Sequence, residues 1–203
     1  MSKKITIIDY GMGNLYSVQN ALRSIGAEPV VTSDVAVIAQ AEKILLPGVG
    51  AFGDCMANLE KSGLIPVIMD SLQSCKPFLG ICLGMQLLFE GSDEAPGVKG
   101  LGFFKGQVRL LHTELKIPHM GWNSLHLQNN GRLFQGIPEG SHVYYVHSYY
   151  LQAKDPSIVK ARSEYGVSFD ASVESGNVFA CQFHPEKSEK VGMQILKNFL
   201  EVR

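Results

Sequence analysis

Cys82 stands between Gly80 and Gly84 where an apolar run passes into a helical pattern, in the order Phe78-Leu79-Gly80-Ile81-Cys82-Leu83-Gly84-Met85-Gln86. This Gly-x-Cys-x-Gly spacing is the sulfur counterpart of the Gly-x-Ser-x-Gly elbow, whose small flanking residues let a strand swing into a helix with the nucleophile held at the bend. A thiol so placed sits at the positive end of a helix, which favours thiolate. The Leu83 N–H then points to where the oxyanion of a tetrahedral intermediate forms. A buried cysteine at an ordinary strand-to-helix junction has the same local sequence, so the elbow needs a partner before it argues for chemistry.

Phe183-His184-Pro185-Glu186 supplies that partner. Val178 to Phe183 reads as a buried strand, and His184 and Glu186, two apart, would project to one side of extended chain with Pro185 stiffening φ between them. A carboxylate in that position accepts from one imidazole nitrogen, fixes the tautomer and leaves the other nitrogen for a thiol. Elbow and His-Pro-Glu together specify nucleophilic hydrolysis or acyl transfer. Pro47-Gly48-Val49-Gly50 adds a third piece, because its glycines let backbone N–H groups face inward and complete an oxyanion hole. It is not a Walker loop, since no Gly-Lys-Ser/Thr follows. Gly11-Met12-Gly13-Asn14 is not a dinucleotide fingerprint either, because Tyr16 occupies the third glycine position.

These groups need a scaffold, and 203 residues with 45% hydrophobic content suffice for one domain with a sizeable core. The 18 basic and 19 acidic residues are interspersed, which argues against a nucleic-acid footprint or a membrane-surface patch. Met1-Ser2-Lys3-Lys4-Ile5 leads into a strand without a signal-peptide apolar segment, and no stretch approaches spanning length, so a cytoplasmic location is expected. Cys55, Cys75, Cys82 and Cys181 lack metal-ligand spacing, and the six histidines form no close pair in sequence, so neither disulfide framework nor metal is expected.

Strand and helix alternate in the first half. Strands are predicted at Ile5 to Asp9, Pro29 to Thr32, Lys43 to Leu46 and before the elbow. Helices are predicted from Leu15 to Gly26, around Met56 to Leu59, at Leu64 to Ser74 and onward from Cys82 to Glu90. From Gly97 short β-prone runs take over: 106–111, 124–127, 142–150, 158–162, 172–174 and 178–183, closed by a helix over 189–200. The expected fold is α/β, a mostly parallel, flavodoxin-like central sheet with helices on both faces and antiparallel strands added to the same sheet. Sites in such sheets gather at the carboxyl ends of the strands, which brings the elbow and the Pro47–Gly50 loop together.

The three motifs above resemble those of the class I (triad) glutamine amidotransferases, and the likeness extends over 1–203 as one domain. Within that family, Asp9 to Leu15, Pro118-His119-Met120-Gly121-Trp122-Asn123, Val146-His147-Ser148-Tyr149 and His184 to Ser188 are similar to the glutaminase subunits of imidazole glycerol phosphate synthases. The resemblance implies Cys82 as nucleophile, His184 as base then acid, and Glu186 as the orienting carboxylate. It implies Gly48, Val49 and Leu83 as oxyanion donors, and Gln86, Gly50, Ser148 and Tyr149 as glutamine-binding positions, with no cofactor and no metal. It further implies a (β/α)8-barrel cyclase as partner in a heterodimer that channels ammonia and acts overall as a lyase in histidine biosynthesis. A low basal glutaminase is implied too, with the oxyanion loop set by the liganded partner. Asn14, Trp122, Tyr144 and Lys187 are interface or channel candidates. Their alternatives are a helix cap, a core tryptophan, a strand tyrosine and a solvated lysine, and Trp122 leans to the core as the single tryptophan. A stand-alone γ-glutamyl hydrolase, an amidotransferase feeding another synthetase and a catalytically silent binding module are the competing readings.

Overall fold

Lys4–Ile8 forms the first strand (β1), in a computed structural model whose described residues are 4–203; the Met1–Lys3 stretch read for a leader lies outside them. Helix α1 (Leu15–Ser24) follows, started by Asn14, whose Oδ1 accepts from Ser17 N at 3.3 Å, and ended by Gly26 at φ +80°. Val18, Ala21 and Leu22 form its buried stripe. The chain continues through β2 (Glu28–Thr32), α2 (Val35–Ala39), β3 (Ile44–Gly48), α3 (Phe52–Lys61), α4 (Ile65–Gln73), β4 (Phe78–Cys82) and α5 (Leu83–Leu87). Then come β5 (Gly106–Leu110), β6 (His119–Ser124), β7 (His126–Leu127), β8 (His142–His147), β9 (Tyr149–Ala153), β10 (Val159–Glu164), β11 (Ser168–Ser175), β12 (Val178–Cys181) and α6 (Glu189–Glu201).

The main sheet runs β2-β1-β3-β4-β12-β11-β10-β7, with β9 and β5 attached beside β11. β2, β1, β3, β4 and β12 are parallel, and β11 begins the antiparallel half. β3, β4 and β12 are buried along their whole length, as strands covered on both faces must be. Alternate side chains feed two cores: Ile44, Leu46 and Phe78 pack with α3 and α4 on one face, Leu45, Leu79 and Ile81 with α1 and α6 on the other. The α/β class, the parallel half and the two helical layers agree with expectation. Among the described residues no helix is long and apolar enough to cross a membrane.

Four local expectations need correction. The helix after the elbow stops at Leu87 instead of reaching Glu90, because Leu101 N, Gly102 N and Phe104 N take the carbonyls of Leu87, Phe89 and Leu88. The 142–150 run is two strands, broken at Ser148, whose carbonyl accepts from Leu111 N at 2.9 Å. Its first half leaves the main sheet and pairs with β6 in a separate two-stranded sheet, from His119↔His147 to Ser124↔His142, so not every added strand joins the central one. Helix α2 was not anticipated, although its cap is in the sequence: Asp34 Oδ1 accepts from Ala36 N at 2.7 Å and Val37 N at 3.2 Å.

Candidate active site

β4 ends at Cys82 with φ 55° and ψ −114°, a backbone conformation that side-chain-bearing residues avoid, and α5 starts at the next residue. Holding a non-glycine residue there costs about 1–3 kcal/mol, and the surroundings impose it. The glycines explain how. A Cβ on Gly84 would lie 2.0 Å from Leu46 O, and one on Gly48 2.7 Å from Gly84 N, so the first turn of α5 rests directly on the end of β3. That close approach sets the Pro47–Gly50 loop beside Cys82.

His184 follows β12, the parallel neighbour of β4, so both strands deliver their residues to the same end of the sheet. His184 Nδ1 lies 2.8 Å from Glu186 Oε1. The pairing is as expected but its backbone is not. Pro185–Lys187 is a 3₁₀ turn rather than extended chain, with Pro185 at the first position where its missing N–H is no loss. Ser188 holds the turn, donating through Oγ to His184 O at 2.6 Å and accepting from Tyr144 N at 2.9 Å. With Nδ1–H donated to the carboxylate, Nε2 of the ring is left for chemistry, and it is buried without a hydrogen-bond partner, as is Glu186 Oε2. Burial disfavours the imidazolium, but the Cys82 sulfur and the Glu186 carboxylate outweigh it and push the His184 pKa up to about 10. The ring can therefore hold the proton that a leaving amine will need.

Cys82, Leu83 and His184 open into a cavity of about 470 Å³, within the roughly 300–1,000 Å³ usual for small-molecule sites. Val49, Gly50, Gln86, Ser148 and Tyr149 line the same cavity, together with Asn14 and Lys187. Gly48 lies just behind it, in a void of about 10 Å³ shared with Asn14, Val49, His184 and Glu186. Asn14 is thus both helix cap and cavity wall. Trp122 is not a core residue: it is 47% exposed. β6 pairs only with β8, and the indole packs edge-on against Tyr144 at 6.0 Å, with Lys187 Nζ on that tyrosine ring at 5.8 Å. Trp122, Tyr144 and Lys187 form one continuous group that reaches the cavity through Lys187.

Four participants were missed by sequence reasoning. Gln182 is fully buried; its Nε2 donates toward Cys82 Sγ at 3.7 Å and its Oε1 accepts from Gln86 Nε2 at 2.9 Å. Gln86 also donates to Tyr149 O at 3.2 Å, so two amides link the sulfur to the cavity floor. A glutamine inside the apolar run Val178–Phe183 was the available signal. Glu94 brings a carboxylate to the cavity, its Oε2 accepting from Phe52 N at 2.7 Å at the start of α3. His147 also lines the cavity; His119 Nδ1 lies 2.9 Å from His147 Nε2, and His147 Nδ1 lies 2.8 Å from Tyr149 O. A carbonyl only accepts, so His147 carries its proton on Nδ1, His119 donates from Nδ1, and His119 Nε2 accepts from the Asn123 amide at 3.4 Å. Burial pushes both below the usual histidine range, His119 to about 4 and His147 to about 3. Nothing in the spacing of 119 and 147 announces that pair, which only the β6–β8 register creates. Among the described residues no His, Cys, Asp and Glu group is arranged to hold a metal ion.

Comparison with known proteins gives the family of the chain. The glutamine amidotransferase class-I family matches residues 6–202. The chain is 48% identical to imidazole glycerol phosphate synthase subunit HisH of Moorella thermoacetica, covering 98% of this chain and 95% of that protein. It is 53% identical to the subunit of the same name from Bacillus cereus strain G9842 (96% and 93% covered) and 50% identical to that of Aquifex aeolicus (97% and 95%). Among solved structures, it superposes on a glutamine amidotransferase with TM-score 0.77 at 18% identity, covering 97% of each chain. It superposes on PurLQS from Thermotoga maritima with TM-score 0.74 at 23% identity, covering 98% of each. Those two likenesses speak to the fold, while the sequence relatives and the family match settle membership: the chain belongs to the class-I glutamine amidotransferases.

Proposed function

We propose that the chain is the glutaminase subunit of an imidazole glycerol phosphate synthase, with 1–203 acting as one amidotransferase domain. One observation carries the chemistry: Cys82, at a strained elbow, lines the same cavity as His184, whose Nδ1 is tied to a buried carboxylate and whose buried Nε2 carries no hydrogen-bond partner. Cys82 Sγ attacks the side-chain amide carbon of glutamine. Leu83 N–H, with N–H groups of the Gly48–Val49 segment, receives the oxyanion. His184 Nε2 gives its proton to the departing nitrogen, so ammonia leaves and a glutamyl thioester remains. His184 then takes a proton from water as the water attacks the thioester, and glutamate departs with the thiol restored.

Glutamine carries an α-ammonium and an α-carboxylate that the cavity must also accommodate. Glu94 complements the first; backbone at Gly50, Ser148 and Tyr149 and the Gln86 side chain surround the rest. Ammonia protonates in water at neutral pH and loses its nucleophilicity, so its consumer must seal the cavity mouth. The relatives named above are subunits of a synthase, and the reading extends that to a (β/α)8-barrel cyclase docked over Asn14, Trp122, Tyr144 and Lys187, in a cytoplasmic heterodimer that passes ammonia through a channel. Cys82→Ala tests the reading: with the cyclase and its nucleotide substrate it should release no glutamate from glutamine, while added ammonium salt still drives the coupled reaction. Glutamate release by Cys82→Ala at the wild-type rate would refute it.

A further inference from the structure

Behind the oxyanion loop, two buried side chains spend their only protons on its backbone. Tyr10 O–H donates to Pro47 O at 2.9 Å. Cys55 Sγ lies 3.5 Å from Val49 O and 3.6 Å from the Tyr10 oxygen. Each group has one hydrogen and there are two carbonyls. With the phenol committed to Pro47, the thiol hydrogen is the one that meets Val49.

The two carbonyls flank a single peptide. Pro47 C=O belongs to the peptide before Gly48, and Val49 C=O to the peptide after Val49. Between them lies the Gly48–Val49 peptide, whose N–H, that of Val49, is among the donors assigned above to the oxyanion. We propose that Tyr10 and Cys55 are positioning residues, a two-point clasp that fixes the peptides on either side of the Gly48–Val49 peptide and so aims its N–H at the developing oxyanion. This inference rests on the glutaminase reading and deepens it.

Packing alone does not account for the pair. Both belong to the core cluster beneath α3 and α4, Tyr10 5% exposed and Cys55 not at all, where phenylalanine and alanine would serve as well. Their polar atoms are explained by the carbonyls they meet. Burial pushes both pKa values up, so both keep the protons that the clasp requires. The clasp is itself braced, because Glu94 holds Phe52 N at the first turn of α3, three residues before Cys55, where the capping residue Ala51 provides no side-chain bond. The loop needs such support, since Gly50 sits at φ +98° and Val49 is 38% exposed at the cavity.

Tyr10→Phe removes one oxygen, and Cys55→Ala removes the sulfur. Each variant is assayed in complex with the cyclase and its nucleotide substrate. Glutamine-dependent kcat should fall by about 5- to 20-fold, less than the roughly 10²–10³ of losing an oxyanion donor outright, because the donor is misaimed and not deleted. KM for glutamine should stay within about two-fold, and the ammonium-driven reaction should be unchanged. Alkylation of Cys82 by iodoacetamide, followed by mass on its own peptide, uses no oxyanion and should keep its wild-type rate. Wild-type kcat in both variants would overturn the clasp, and so would a parallel loss of kcat and alkylation rate, which would locate the damage at the sulfur. A wild-type complex that releases no glutamate would overturn the glutaminase reading itself, and this inference with it.

Discussion

Replacing Cys82 by glycine should leave the chain at least as stable as replacing it by alanine, which reverses the ordinary order. In a strand or helix interior glycine is about 0.5–1 kcal/mol worse than alanine, and a buried methyl adds about 0.8 kcal/mol to the difference. Position 82 is different because its φ is 55° and its ψ −114°. Alanine keeps that strain, of order 2 kcal/mol, whereas glycine relieves it. Relief slightly exceeds the two losses, so Cys82→Gly should be more stable than Cys82→Ala by about 0.5 kcal/mol, or a Tm about 1–2 °C higher for a chain of this size. Without strain it should melt about 3–6 °C lower. Thermal unfolding of the two variants under identical conditions decides the matter, and both should release no glutamate. A glycine variant melting several degrees below the alanine variant would show that the elbow is not strained.

The buried His119–His147 pair makes stability depend on pH. Both pKa values are depressed from 6.5, to about 4 and about 3, so the unfolded chain takes up protons near pH 6.5 that the native chain refuses. Their contribution is complete above pH 6.5 and drains as pH falls; at about pH 5 each should have cost about 2 kcal/mol relative to pH 7.5. His184 runs the other way: with its pKa raised to about 10, its contribution is present below pH 6.5 and lost only as pH rises through about 10. Denaturant midpoints at the two lower pH values, for wild type and for His147→Gln, check this, with the variant expected to show the shallower loss. Glu186→Gln keeps the shape of the 2.8 Å contact to His184 but removes its charge. Glutamine-dependent kcat should fall by about 10²–10⁴-fold with the ammonium-driven rate intact, and the pH–rate profile should show the histidine pKa moved down.

Much of this site could be read before any coordinates, because its parts are short and local. An elbow is specified by two glycines around a cysteine, and a His-Pro-Glu turn carries its own carboxylate, so Cys82, His184 and Glu186 were legible from type and spacing. Parallel strands then bring the ends of β3, β4 and β12 to one edge, a consequence of topology alone. What remained illegible depends on register between distant segments. His119 and His147 meet only because β6 and β8 pair, and Gln182 reaches Cys82 only because β12 lies beside β4. Trp122 was misplaced by a rule about tryptophan in general; its strand lies outside the main sheet and leaves the ring 47% exposed. The 3₁₀ turn at Pro185 kept the His–Glu contact while changing the backbone beneath it, so the contact was the safer inference than the extended chain.

The central sheet also divides the labour of the reaction. Cys82 is rooted in the core under α1 and α6, as is Phe183 next to His184, whereas Leu83, Tyr10 and Cys55 are rooted in the core under α3 and α4. The groups that create negative charge and those that receive it are therefore rooted on opposite faces of one shared sheet, whose strands β3 and β4 send alternate side chains into both cores, and the chain passes from one face to the other between residues 82 and 83. Repacking beneath α3 or α4 therefore bears on the oxyanion side through Leu83, Tyr10 and Cys55, while repacking beneath α1 or α6 bears on the nucleophile and on the strand end that carries His184.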